Sequence, residues 1–158
     1  MRNSIRKGFS FGLTSGIITT LGLIVGLESG TNSRLAVVGG ILTIALADSL
    51  SDALGIHVSE ESEGDHSNRE VWISTFTTFF SKFLFALSFA VPILLLPLTK
   101  AVYVSVGWGL IALILLNYWV GSVGNNSRLK VILEHLTIAI VVVIASHFVG
   151  AWISSVLA

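Results

Sequence analysis

Asp48 and Asp52 lie four residues apart inside a long apolar run, Leu35 to Val58, that reads LAVVGGILTIALADSLSDALGIHV. In a helix that spacing sets both carboxylates on one face. An ionised carboxylate in hydrocarbon costs at least roughly 2.5–3.5 kcal/mol on insertion scales. Two on one face therefore call for water, a cation or a positive partner. Ala45, Ser51, Gly55 and Ser59 share that face. Carboxylates and hydroxyls are hard oxygen ligands, suited to magnesium, calcium, manganese or ferrous iron. Two carboxylates from one helix make half of such a site, and a symmetry mate or another helix must supply the rest. Lys82 offers a structural alternative. It lies on a polar strip with Ser74, Thr78 and Ser81 and could neutralise one aspartate.

The elements that must position these groups are membrane spans. Charged residues make up 11% of the 158-residue chain, where a soluble domain carries about 25%. The mean hydropathy of +0.88 agrees. We expect an all-α membrane protein with one domain, 1–158, and five transmembrane helices of about 20 residues each. They are expected near 8–27, 35–58, 71–96, 102–123 and 133–157, with a short acidic cytoplasmic connector at 59–70. Pro92 and Pro97 predict a kink and an end in the third. The head of the chain is basic, as in a signal peptide. The following apolar stretch is long and carries no A-x-A cleavage site, so a retained helix is expected.

Lysine and arginine set the expected orientation. An inside N-terminus puts Arg2, Arg6, Lys7, Arg69, Arg128 and Lys130 in the cytoplasm and leaves only Arg34 and Lys100 outside. That asymmetry predicts a cytoplasmic N-terminus and an outside C-terminus. The zero net charge gives no reason to expect nucleic acid, and the absence of cysteine excludes thiolate metal sites.

Gly8, Gly12, Gly16, Gly22, Gly26 and Gly30 form a stripe on the first helix, with Ser15 and Thr19 on the same strip. Small residues four apart let helices approach closely in lipid. Spacing alone leaves two readings open: a self-association face, or packing within one subunit. The connector, SEESEGDHSNRE, follows His57 and holds Glu60, Glu61, Asp65 and His66. Such a cluster can collect divalent cations at a cytoplasmic entry, or it can be a solvated loop. Glu28, at the outer end of the first span, is a candidate exit-lining residue. His147 and Asn117 read as helix-to-helix hydrogen bonds.

Two segments carry a family resemblance. Gly16-Ile17-Ile18-Thr19-Thr20-Leu21-Gly22-Leu23-Ile24-Val25-Gly26 resembles the D-G-[IL]-V-T-T-x-G-L-V-V-G motif of the vacuolar iron transporter family. The stretch Ala47-Asp48-Ser49-Leu50-Ser51-Asp52-Ala53-Leu54-Gly55-Ile56-His57-Val58-Ser59 resembles that family's A-x-x-L-S-M-A-x-G-E-Y-V-S. The resemblance is specific over the first two helices and one of hydropathy elsewhere. It implies a two-fold homodimer that carries iron or manganese out of the cytosol in exchange for protons. The implied path runs along the dimer axis and is lined by the first two helices, here Asp48, Asp52, Ser15, Thr19 and Ser51. It also implies that Gly8, Gly12, Gly16, Gly22 and Gly26 form the dimer face.

The departures from the motif are chemical. Ser15 aligns with the family's pore aspartate, Asp52 with its pore methionine, Ile56 with its glutamate and His57 with its tyrosine. Exchanging a thioether for a carboxylate favours harder ions. The connector is also too short for the glutamate-rich metal-binding domain of larger members.

The leading expectation is thus a multi-pass carrier of divalent cations, Fe2+ or Mn2+ as substrate, with no permanently bound cofactor and no enzymatic activity. The expected setting is a prokaryotic cell membrane, or alternatively a vacuolar-type membrane. Its expected partners are lipid, a second copy, cations and protons. The alternatives are a non-transporting scaffold of the same fold, with Lys82 neutralising the path, or an intramembrane aspartate hydrolase. A hydrolase would need its two carboxylates to share one proton within about 3 Å.

Overall fold

A computed structural model describes residues 2–123 and 127–157. These residues form helices α1 (Arg2–Thr31), α2 (Arg34–Glu63), α3 (Asn68–Ser88), α4 (Ala90–Leu95), α5 (Leu98–Val123) and α6 (Arg128–Leu157). There is no strand among the described residues. Five segments are long and apolar enough to cross a bilayer: Asn3–Thr31, Arg34–Glu63, Asn68–Leu95, Leu98–Gly121 and Arg128–Leu157. The third comprises α3 and α4. The break between them falls at Phe89, three residues before Pro92, whose missing N–H cannot continue the helical ladder. Leu96 is extended and Pro97 follows, so the span ends where the prolines predict.

α1 is the central helix and packs on α2, α3, α5 and α6. Its core side chains, Ile17, Leu21 and Ile24, are fully buried with Ile41, Phe89, Ile93 and Leu113. The outer surface is apolar as well: Leu42, Leu46, Leu50 and Leu54 of α2 and Phe76, Phe80 and Leu84 of α3 are all more than half exposed. A water-soluble fold would not leave such a belt bare, whereas hydrocarbon is a good solvent for it.

Two short turns fix the register around the aspartates. Asn32 takes the left-handed conformation (φ 46°) and ends α1. Ser33 then caps α2 by accepting from the Ala36 N–H at 3.3 Å. This two-residue turn makes α1 and α2 an antiparallel hairpin and brings Ser15 opposite Asp52. At the other end α2 runs on to Glu63 and stops at Gly64, which is left-handed at φ 71°. The second span is therefore longer than expected. The connector shrinks from Ser59–Glu70 to residues 64–67, and Glu60 and Glu61 become helical.

The glycine stripe of α1 corrects a second expectation, because it is occupied within the chain. A Cβ on Gly8 would stand 2.5 Å from the Ser74 carbonyl oxygen, and one on Gly12 2.6 Å from that of Thr78. Gly16 lies against Lys82 of α3, while Gly22 and Gly26 lie against Val142 and Ser146 of α6. Gly8, Gly12, Gly16, Gly22 and Gly26 therefore seat α3 and α6 and are not free to form a face between copies. The reason lies in α3. Thr78 bonds back to the Ser74 carbonyl at 2.8 Å and Ser81 to that of Thr77 at 2.6 Å. With its hydroxyls folded onto its own backbone, the polar strip becomes a thin ridge that fits the glycine groove.

Candidate functional site

Lys82 of α3 is 1% exposed and enters between α1 and α2 across Gly16, where any side chain would crowd its stem. Its Nζ lies 2.5 Å from Oδ2 of Asp52 and 2.5 Å from Oδ2 of Asp48. It also donates to the Ser15 hydroxyl at 2.9 Å, and Ser15 donates to Oδ2 of Asp52 at 2.7 Å. Four side chains from three helices thus converge on one point inside the bundle of long apolar helices. The lysine was expected to neutralise one aspartate; it contacts both.

The two carboxylates are not equivalent. Asp52 is 21% exposed and accepts two hydrogen bonds, from Lys82 and Ser15. Asp48 is 30% exposed, and its contact with the ammonium lacks hydrogen-bond alignment, so its buried Oδ2 accepts no hydrogen bond. Two carboxylates face a single ammonium, which leaves one negative charge in excess. That excess sits at the edge of α2's exposed face, beside Ala47, Ser51 and Gly55.

Two residues expected in the path take no part in the Lys82 cluster. The Thr19 hydroxyl donates to the Ser15 carbonyl at 2.9 Å and is spent on its own helix. Ser51 is exposed on the outer surface of α2, turned away from Lys82. Among the described residues, no group of three or more His, Asp or Glu is arranged to hold a metal ion. One copy of the chain brings two carboxylates and the Ser15 hydroxyl to the site.

The expected cytoplasmic entry divides. Glu60 is 1% exposed, accepts from Ser74 at 2.6 Å and lies 3.4 Å from the Lys7 ammonium. It is an interior anchor joining α1, α2 and α3, not an open entry ligand. The cause is the extension of α2, which turns Glu60 inward onto the Ser74 strip. His57 is hydrogen-bonded to Thr75 at 3.0 Å and lies 3.4 Å from Glu61, with its ring against Trp72. His66 lies 3.3 Å from Glu63, which also meets Lys7 at 3.4 Å. Asp65 is exposed in the short connector. The Lys7–Glu60–Ser74 cluster was not legible in the sequence, where Lys7 counted only toward orientation.

At the opposite end, His147 of α6 is bonded through Nδ1 to the Ser29 hydroxyl of α1 at 2.7 Å, the interhelical bond expected of it. Asn117, by contrast, donates to the Leu113 carbonyl of its own helix at 2.8 Å. Compared with known proteins, the chain matches no protein-family model and no curated protein.

Proposed function

We propose that the protein is a carrier of divalent metal cations of the iron and manganese class, working as a two-fold dimer with Asp48 and Asp52 in its path. One observation carries this reading: two carboxylates and a hydroxyl from adjacent helices already hold a cation inside the spanning bundle, and that cation is the Lys82 ammonium. The oxygens are placed for positive charge, and they outnumber the charge they hold. A hard divalent ion arriving at the exposed edge meets the free capacity of Asp48 first. The motif likeness of the first two helices supports iron or manganese as cargo and protons as the exchanged ion.

With the α1 glycines committed within the chain, the dimer seam falls on the exposed face of α2. Gly39, Thr43, Ala47, Ser51 and Gly55 form a stripe of small residues there, and a Cβ on Gly39 or Gly55 would touch nothing. Small residues four apart permit close helix approach in lipid. A two-fold axis along this stripe would bring both aspartate pairs together and supply the ligands that one copy lacks. In this arrangement the N-terminus is cytoplasmic, and the metal leaves the cytosol.

The contact of Lys82 with both aspartates favours one second reading: a scaffold in which the lysine holds them permanently. Liposome flux separates the two. Wild-type protein should carry Mn2+ or Fe2+, and Asp52→Asn, which keeps shape while removing charge, should abolish flux without unfolding the protein. A wild-type protein that moves none of these ions would leave the scaffold as the better account.

A further inference from the structure

The end of the bundle away from Lys7 and Glu60 holds a half-open cavity of about 490 Å³ between α1, α5 and α6. It lies on the α5 and α6 side of α1, apart from the Lys82 cluster. Its walls are mainly apolar, from Val25, Val102, Val106, Val143 and Ile144. Glu28, His147, Tyr103 and Phe148 also line it.

The Glu28 carboxylate makes no hydrogen bond or ion pair among the described residues. The basic groups nearest in sequence are spent or turned outward: Arg34 donates to the Leu96 carbonyl at 2.8 Å, and Lys100 is exposed. His147 is oriented by its Nδ1 bond to Ser29, and its other ring nitrogen has no partner among the described residues. Tyr103 and Phe148 add two aromatic rings to the same cavity.

We propose that this cavity binds an organic ammonium ion with an apolar body. An unpaired carboxylate and aromatic rings lining one cavity are the recognition chemistry of alkylammonium groups: the carboxylate supplies the counter-charge and the rings supply cation–π attraction. The volume falls in the usual range for small-molecule sites, which combine mainly apolar walls with a few fixed polar groups. The other occupants fit less well. A lipid chain would fill the walls but leave Glu28 unpaired. A bare metal ion would find one carboxylate and one imidazole in an otherwise apolar box.

The test is calorimetric titration of the full chain in lipid nanodiscs with tetrapropylammonium chloride. Tripropylcarbinol serves as a neutral body of similar size. Saturable binding is expected, with the carbinol weaker by about tenfold or more, because it lacks the positive charge that Glu28 attracts. Glu28→Gln should weaken tetrapropylammonium by about the same factor, while Glu28→Asp, which keeps the charge, should retain most of the affinity. Tyr103→Leu should lose a smaller, several-fold part through the missing ring face. Glu134→Gln, a carboxylate variant outside the cavity, should bind as wild type does. Equal binding of the neutral carbinol, or an unchanged Glu28→Gln, would overturn the proposal and leave a lipid groove. Displacement of tetrapropylammonium by equimolar Mn2+ would overturn it in favour of a metal site.

Discussion

Ser15 on α1 donates its hydroxyl hydrogen to Oδ2 of Asp52 on α2 at 2.7 Å, and its oxygen in turn accepts from Lys82. The hydroxyl stands where the resembled motif has a carboxylate. Position 15 and Lys82 therefore belong to one local charge arrangement. A third carboxylate at Ser15 would give Lys82 three acids to balance.

Ser15→Asp tests this arrangement. The third carboxylate should make the site more attractive to hard divalent ions, and Mn2+ affinity should rise by about tenfold, the effect of roughly 1.4 kcal/mol. Calorimetric titration of the purified variant against wild type reads this directly. Unchanged or weaker Mn2+ binding would mean that position 15 does not face the ion path.

Lys82→Met removes the ammonium and leaves both aspartates uncompensated in the spanning bundle. Breaking a buried pair by deleting one partner costs about 3–5 kcal/mol. Because both carboxylates are partly exposed, the lower end of that range is expected. The variant should melt well below wild type in detergent, and added Mn2+ should restore part of the loss by replacing the missing cation. Wild type, whose site already holds an ammonium, should respond less. Equal stabilisation of both proteins by Mn2+ would place the metal elsewhere.

How much of this was legible in the sequence follows from the physics of each feature. The spans were legible because hydrocarbon requires long apolar helices. The lysine pairing was legible because an intramembrane charge needs a partner, although not that one ammonium serves both acids. The boundary of α2 was missed because hydropathy fades at Val58 while the backbone ladder continues to Glu63. The signal for that stop, Gly64, and those for the start of α3, Ser67 followed by Glu70, which accepts from the Ser67 N–H at 3.4 Å, were present in the sequence. The partner of the glycine stripe was not legible at all. Spacing says that another helix comes close, but not which one. Thr19 and Ser51 share a nominal face with the site residues, yet one hydroxyl bonds backward along its helix and the other turns to the surface.

The two glycine stripes should respond differently to enlargement. Gly12→Leu would drive its Cβ to 2.6 Å from the Thr78 carbonyl oxygen and separate α1 from α3 within one copy. Overpacking of this kind typically costs about 1–3 kcal/mol, so a lower melting temperature is expected whatever the oligomeric state. Gly55→Leu meets nothing inside its own chain and should leave the fold intact while dissociating the proposed dimer. Native mass spectrometry with thermal melts measures both. A Gly55→Leu protein that stays dimeric would move the two-fold contact off α2.

Glu60 gives the last prediction. It is buried, accepts from Ser74 at 2.6 Å and meets Lys7 at 3.4 Å, which ties the start of α1 to the end of α2 and the start of α3. Glu60→Gln keeps the shape and can still accept from Ser74, so it should cost little beyond the Lys7 attraction, about 1 kcal/mol for a pair with one exposed partner. Glu60→Leu removes that acceptor, and the single Ser74 hydroxyl hydrogen must turn to the Val71 carbonyl, 2.9 Å away. It should cost more, about 1–3 kcal/mol. Hydrogen exchange at the first turns of α1 should accelerate in Glu60→Leu more than in Glu60→Gln, because those turns lose their anchor. If Glu60 were instead an open entry ligand, Glu60→Gln would slow metal uptake with no change in exchange or melting. Flux and exchange measured on the same two variants tell an anchor from an entry.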